Sequence, residues 1–347
     1  MQNRPLAYAQ QARAATTTIA HCLSHWQAQG LPRIDAQLLL LHTLARPQTD
    51  RAWLIAHGDE PLAPAPTAAF NALCTRRLAG EPLAYLSGHK HFYGLDLQVD
   101  ARVLDPRPDT ETLVDWALEL LSTRPDTASQ SGSRTPHSVR AEPVEALRRA
   151  GTEQHGGAQG ERFRFEGTES TDKRIGHFGT ATPRVLDLGT GSGAIALALA
   201  HAAPQARVLA VDQSEGALAV ARANAERLGL AVDCVQSNWF ANVQGRFDLI
   251  VSNPPYIAEG DPHLPALRHE PQAALVAGAD GLRDLRDIIQ TAPDHLAPGA
   301  WLLLEHGWDQ ADAVQTLLQG HGFAQVQTRN DLAGVGRCTG GQWPAVK

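Results

Sequence analysis

The hydrophobic period of this chain changes twice. Up to residue 88, apolar side chains recur at helical spacing. The stretch Asp35-Ala-Gln-Leu-Leu-Leu-Leu-His-Thr-Leu-Ala45 is apolar along one face and opens with an acid suited to cap it. Thr67 to Arg77 repeats the pattern with Phe70, Leu73 and Cys74, and Pro61, Pro64 and Pro66 separate the two. A small all-helical bundle is predicted over 1–88. Between His91 and Leu104 the period falls to two, through Phe92, Leu95, Leu97, Val99 and Val103, which predicts a short β-hairpin linker over 89–104. Helical spacing resumes from Asp109 to Leu121.

Residues 122–182 break the pattern. Only 7 of these 61 residues are Leu, Ile, Val or Phe, about 11%, below the roughly 20% level associated with disorder. The segment reads as an inserted, mostly disordered loop with one short helix over Glu142 to Ala150.

From Arg184 strands and helices alternate. Strands are predicted at Arg184–Leu188, Arg207–Val211, Ala231–Gln236, Phe247–Ser252 and Ala300–Glu305, and helices at Ala194–His201, Ser214–Leu228, Leu282–His295 and Asp309–Leu318. A final antiparallel pair covers Ala324–Thr328 and Val335–Thr339. Alternation of this kind implies an α/β domain with a doubly wound, largely parallel sheet of seven strands over 105–347, binding ligands at the carboxyl ends of its strands.

Composition narrows the class. A length of 347 residues with 43% apolar and 19% charged side chains supports two domains with a sizeable core. No apolar run reaches the eighteen or so residues that span a bilayer, so no membrane association is expected. Cys22, Cys74, Cys234 and Cys338 lie far apart, which excludes a disulfide framework and common zinc spacings and fits a reducing, cytoplasmic setting. The fifteen histidines show no metal spacing, and no metal is expected. The first 34 residues carry Arg4, Arg13 and Arg33 and no acid, a weak likeness to a transit peptide beside the preferred reading as an ordinary helix. The net charge of −7 is uneven: 11 basic and 17 acidic side chains in 183–347 set that half at −6, while 7 and 5 in 1–88 leave the helical part at +2. An acidic C-terminal half is a poor platform for duplex nucleic acid, so no direct DNA binding is expected, and it leaves room for a basic partner protein.

Three loops at the strand ends carry candidate chemistry. Val185-Leu-Asp-Leu-Gly-Thr-Gly-Ser-Gly193 runs an apolar strand into a turn of Gly189, Thr190, Gly191, Ser192 and Gly193. Its spacing differs from the dinucleotide fingerprint, and it lacks the lysine of a phosphate loop, so it suits a nucleoside ligand without phosphates, S-adenosylmethionine. Asp212, ending the second strand, is placed to accept bonds from two ribose hydroxyls. After the third strand, Asn238 can meet the adenine edge and Trp239 its face.

Asn253-Pro-Pro-Tyr256 ends the fourth strand. The prolines cannot donate to a ladder, and they stiffen a turn that presents one carboxamide and one phenol. A planar amide or amino nitrogen is a poor nucleophile because its lone pair is delocalised. If the Asn253 side-chain oxygen and the Pro254 carbonyl accept its two N–H bonds, the lone pair turns toward a methyl donor, with Pro255 and Tyr256 flanking the substrate plane.

These motifs, with Thr75-Arg-Arg-Leu-Ala-Gly-Glu-Pro-Leu-Ala-Tyr85, Asp105-Pro-Arg-Pro-Asp-Thr-Glu111 and Leu302-Leu-Leu-Glu-His-Gly307, resemble the release-factor glutamine methyltransferase family over nearly everything except 122–182. The resemblance implies a class I S-adenosylmethionine-dependent methyltransferase that N5-methylates the glutamine of the Gly-Gly-Gln loop in peptide chain release factors, docked partly by the helical domain. It also implies a donor site at Gly189–Gly193, Asp212, Trp239 and Asn253. Asn238 departs from the aspartate usual there, and the long insert has no counterpart in the family pattern. Three rivals stand beside it: a DNA adenine N6-methyltransferase, which shares Asn-Pro-Pro-Tyr, a ribosomal-protein glutamine methyltransferase, and a donor-binding adaptor without activity. Gly340-Gly341-Gln342 copies the substrate motif within the chain itself and is expected to be fortuitous.

Overall fold

The computed structural model describes residues 17–122 and 182–345. The inserted loop with its short helix therefore falls almost wholly outside the described residues, as do the first 16 residues of the segment likened to a transit peptide.

Five helices come first: α1 (Ile19–Ala28), α2 (Arg33–Thr43), α3 (Arg51–Ala56), α4 (Pro64–Leu78) and α5 (Leu83–Ser87). They close around Leu39, Leu40, Leu54, Phe70 and Cys74, all buried. Two local expectations are corrected here. Asp35 does not cap α2, because the helix already begins at Arg33. Its carboxylate instead accepts a 2.7 Å bond from Arg77 Nε on α4, tying the two helices together. Pro64 and Pro66 are not a spacer: they form the first turn of α4, where a missing N–H costs nothing.

The hairpin pairs β1 (His89–Phe92) with β2 (Leu95–Gln98), two residues earlier than the alternation suggested. A single turn over Pro108–Thr110 then leads into α6 (Glu111–Ser122).

The sheet is built from β3 (Arg184–Leu188), β4 (Arg207–Asp212), β5 (Val232–Gln236), β6 (Phe247–Ser252), β7 (Leu296–Glu305), β8 (Ala324–Asn330) and β9 (Gly336–Gln342). Their order is β5-β4-β3-β6-β7-β9-β8, with β9 antiparallel to both of its neighbours. The four helices that connect the sheet are α7 (Ala194–Ala202), α8 (Glu215–Leu228), α9 (Arg283–His295) and α10 (Ala311–Gly320). One apolar layer joins α6, α7, α8 and the hairpin to the sheet, and a second joins α9 and α10 to the other face. β7 begins at Leu296, directly after α9, which is earlier than the expected start at Ala300. The chain runs outward through β3, β4 and β5, then returns to place β6 on the other side of β3. That reversal is where doubly wound sheets bind ligands.

Two details tie the parts together. Asn224 of α8 is fully buried. Its carboxamide accepts from Gln98 N at 2.7 Å and donates to Gln98 O at 2.9 Å and Ser192 O at 3.0 Å, linking the hairpin to the glycine turn. In β9, Gly340 and Gly341 lie inside the ladder opposite Leu303 and Leu302. A Cβ at Gly340 would stand 2.5 Å from Leu303 Cδ2 and 2.9 Å from the Trp116 ring, so packing alone requires glycine there. Gln342 Nε2 donates to Gly299 O at 2.9 Å within the same ladder.

Replacing Asn224 with Ala takes its partner from the Gln98 N–H and from the carbonyls of Gln98 and buried Ser192, and is expected to cost ~1–2 kcal/mol. Urea unfolding checks it, and a loss well under 1 kcal/mol would contradict the linking role. Gln342, held in the ladder, is expected to stay unmodified when the protein is incubated with methyl donor. A mass shift of one methyl on that residue would show the ladder to be open.

Candidate active site

Where β3 ends, Gly189 N and Thr190 N both donate to Val211 O at 2.9 Å, folding the glycine turn back over the end of β4. Gly189 and Gly191 have φ of +71° and +57°, the left-handed region that glycine enters freely. Nothing lies within 4 Å of a Cβ built on Gly191, so that side of the turn is open. Gly193, at the N-terminus of α7, shares that region at φ +84° and has a second reason to be glycine, since a Cβ there would stand 2.9 Å from Leu197 Cδ1 and 3.3 Å from Ala221 Cβ. Thr190 and Ser192 are buried behind the turn. The five turn residues therefore divide: Gly189 and Gly191 line the cavity described below, while Thr190, Ser192 and Gly193 shape the turn from within.

Thr190 Oγ1 donates at 2.7 Å to Asp187 Oδ2, which also accepts from Ala196 N at 3.2 Å. Asp187 is fully buried, its Oδ1 has no hydrogen-bond partner, and burial pushes its carboxyl up to about 7 against those two donors. The sequence reading passed over this acid. Asp212 is one strand away. Its two oxygens accept from Gly191 N and Ser214 N, both at 2.9 Å, and burial again raises its pKa while these donors oppose the rise. Ser214 caps α8 by accepting from Ala217 N.

After β5, Ser237 Oγ donates to Trp239 O at 2.7 Å and accepts from Asn242 N at 2.9 Å, holding a tight turn. Trp239 sits at φ +46°, unusual for a bulky residue, and its ring lies 3.3 Å from a Cβ built on Gly189. Asn238 is exposed beside it.

Asn253 follows β6, whose last residue Ser252 donates Oγ to Leu188 O at 2.8 Å and so clasps the ends of β6 and β3. Asn253 Nδ2 donates to Thr110 Oγ1 at 3.2 Å. Tyr256 donates its hydroxyl to Glu305 Oε1 at 3.3 Å, and its carbonyl accepts from Gln310 Nε2 at 3.0 Å. A Cβ on Gly281 would overlap that same Tyr256 carbonyl at 2.3 Å, so glycine is required for the loop before α9 to pass this close. Neither Asn253 Oδ1 nor the Pro254 carbonyl accepts a hydrogen bond from a described residue.

Gly189, Gly191, Asp212, Asn238, Trp239, Asn253 and Pro255 share one cavity of about 440 Å³, within the usual range for small-molecule sites. Pro254 and Tyr256 stand outside its lining. Part of the remaining wall comes from residues that motif reading missed, among them Arg102, Val103 and Leu104 just after the hairpin, Val276, and Arg283, Asp284 and Asp287 of α9. Only the hairpin segment carried a sequence signal, and it was read as a mere connection. Among the described residues no group of three or more His, Cys, Asp or Glu side chains is placed to hold a metal ion, and no helix is long and apolar enough to cross a membrane.

A strand-turn-helix site at the switch point of such a sheet defines a methyltransferase-type domain, and a methyltransferase small-domain family model matches residues 172–272. A model of the PrmC N-terminal domain matches residues 17–88. Release factor glutamine methyltransferases from Bordetella pertussis and Xylella fastidiosa are 43% and 44% identical, covering 90% of this chain in both cases and 95% and 94% of those proteins. The Yersinia pestis protein of that description is 39% identical over 90% of this chain and 92% of its own. This chain belongs to the release factor glutamine methyltransferase family. A solved Pyrococcus furiosus methyltransferase it resembles is 23% identical, covers 47% of this chain and 75% of its own, and has a TM-score of 0.37, too low to carry an argument.

The raised Asp187 carboxyl has a signed consequence. An unfolded aspartate titrates near ~3.9, so the folded state binds the proton more tightly. Its contribution to stability is fully present below that pH and is lost as pH rises through about 7. Asp187→Asn removes this term. The melting temperature of the variant relative to wild type is therefore expected to climb between pH 4 and pH 8, and a constant difference across that range would refute the raised pKa.

Proposed function

We propose that this chain transfers the methyl group of S-adenosylmethionine to the side-chain nitrogen of the glutamine in the Gly-Gly-Gln loop of a peptide chain release factor. The observation that carries the reading is that Asn253 opens into the same cavity as Gly189, Gly191 and Asp212. The donor fits what the residues offer. The open turn at Gly191 admits a ligand against the backbone, Asp212 keeps lone pairs for ribose hydroxyls, and Trp239 and Asn238 flank the place for the base. The absence of lysine in the glycine turn fits a ligand without phosphates. When bound, S-adenosylmethionine supplies a methyl group on a sulfonium sulfur that departs with the bonding electron pair.

The chain's own residues do the rest by placement. Asn253 Oδ1 and the Pro254 carbonyl, both free of other donors, accept the two N–H bonds of the glutamine amide and turn its lone pair toward the cavity. Tyr256, anchored through its hydroxyl and its carbonyl, holds its ring against the amide plane. The new N–C bond leaves a surplus proton on nitrogen, which passes to solvent water. No strong base is required, because orientation supplies most of the advantage. The reading further assigns residues 1–88 to docking of the factor and 105–347 to transfer, with 89–104 between them.

The DNA adenine alternative shares Asn253 to Tyr256, but the acids on the cavity wall, Asp212, Asp284 and Asp287, outnumber Arg102 and Arg283, and Arg283 is paired with Asp284, a poor match for a phosphate backbone. Labelled donor incubated with release factor, with ribosomal proteins and with duplex DNA is expected to label the release factor alone, and label in DNA or in ribosomal protein instead would overturn the assignment. Asn253→Ala is expected to lower turnover by about 100-fold or more while donor affinity, followed by calorimetry, falls only a few-fold.

A further inference from the structure

Two segments far apart in sequence, 105–111 and 302–307, meet behind the catalytic turn. Glu305 ends β7 with 1% of its surface exposed. Its Oε1 accepts from the Tyr256 hydroxyl at 3.3 Å, the Thr110 hydroxyl is close enough to the same carboxyl to oppose the rise that burial gives its pKa, and its Oε2 has no hydrogen-bond partner among the described residues. Thr110 is itself buried, in the single turn that opens α6. Its Oγ1 receives Asn253 Nδ2 at 3.2 Å. A buried carboxyl on which two hydroxyls converge, beside a catalytic loop it does not line, is an expensive arrangement for packing alone.

Counting protons gives it a purpose. A threonine hydroxyl has one hydrogen to donate. Above about pH 7, where the raised Glu305 carboxyl is ionised, it can only accept, so the Thr110 hydrogen goes to Glu305. Its oxygen is then left as an acceptor toward Asn253. Asn253 must therefore present its NH₂ side to Thr110, which fixes the carboxamide with Oδ1 turned away from Thr110 and available to a substrate N–H. Without this relay the amide has two orientations of similar energy, and in the flipped one its NH₂ would confront the NH₂ of the incoming glutamine.

On the reading given under Proposed function, we infer that Thr110 and Glu305 are positioning residues that set which way the Asn253 carboxamide faces, with Glu305 at the same time anchoring the Tyr256 ring. Neither touches substrate or donor. Their effect falls on the chemical step rather than on binding, because the donor cavity is lined by other residues.

The test uses the full chain, release factor and labelled donor. Thr110→Val keeps the shape and removes the hydroxyl. It is expected to lower kcat by about 10- to 100-fold, with KM for the factor and calorimetric donor affinity within about twofold, whereas Thr110→Ser restores most of the rate. Glu305→Gln, nearly the same size and without a buried charge, covers the case in which Thr110→Val fails to fold. Its amide can donate to Thr110 and reverse the relay, so a similar loss of kcat is expected. The double variant should fall no further than the worse single one, since both act through Asn253. A kcat within twofold of wild type in folded Thr110→Val or Glu305→Gln, or no recovery with Thr110→Ser, overturns the inference and leaves the glutamine reading intact. Absence of transfer to release factor by the wild-type protein overturns that reading, and the inference with it.

Discussion

The site depends on one pairing, the parallel contact of β3 with β6. Val185 to Leu188 lie in register with Leu249 to Ser252, and all eight residues are buried. Because β3 then continues to β4 on its other side, the chain leaves β3 and β6 in a gap that no connecting helix crosses. The glycine turn and the Asn-Pro-Pro-Tyr turn leave the sheet into that gap together. The Ser252 hydroxyl on the Leu188 carbonyl joins the two strand ends just before they diverge. A shift of register between β3 and β6 would move the glycine turn and the Asn-Pro-Pro-Tyr turn apart by one strand residue, about 3.3 Å.

Around this pairing the structure sets a layer of buried polar groups. Asp187 braces the glycine turn through Thr190 and the start of α7, Asn224 braces it from the hairpin, and Glu305 stands behind the catalytic turn. Buried polar groups are costly when unpaired and rigid when satisfied. Here they fix backbone and side-chain directions at the places where chemistry needs direction. Asp187 Oδ1 and Glu305 Oε2 lack partners, and burial lifts both carboxyls to about 7. The stability given up there keeps the site preorganised.

The helical part is tied to the catalytic part through charged residues. Arg268 and His269, in the segment after the catalytic turn, both reach the Ala79 carbonyl just past the end of α4. Lys90 of the hairpin pairs with Asp105 at 3.0 Å, and Arg107 pairs with the buried Glu270. The segment that carries Asp105 and Arg107 also carries Thr110, so the same short stretch joins the hairpin, the loop beyond the catalytic turn and the Asn253 carboxamide.

The sequence by itself determined a good deal. The strand and helix succession, the two turns that bear glycine and Asn253, and the antiparallel final pair were all legible, because hydrophobic period and turn chemistry are local properties. Pairing partners are not local, and every correction has that origin. Asp35 reads as a cap until Arg77 is found opposite it; Pro64 and Pro66 read as a break until the helix they begin is seen. Gly340-Gly341-Gln342, expected from the sequence to be a fortuitous match, gains a packing reason for Gly340 only when Leu303 and Trp116 are seen to fill the space a side chain would need. Thr110 and Glu305 lay in motifs that the family resemblance rests on, yet neither they nor Asp187 and Asn224 had a role legible in the sequence, since a polar residue has no assigned partner before the fold is known. Only the tertiary structure decided which of them meet, because the sheet order, not the chain order, sets the distance between residue 110, residue 253 and residue 305.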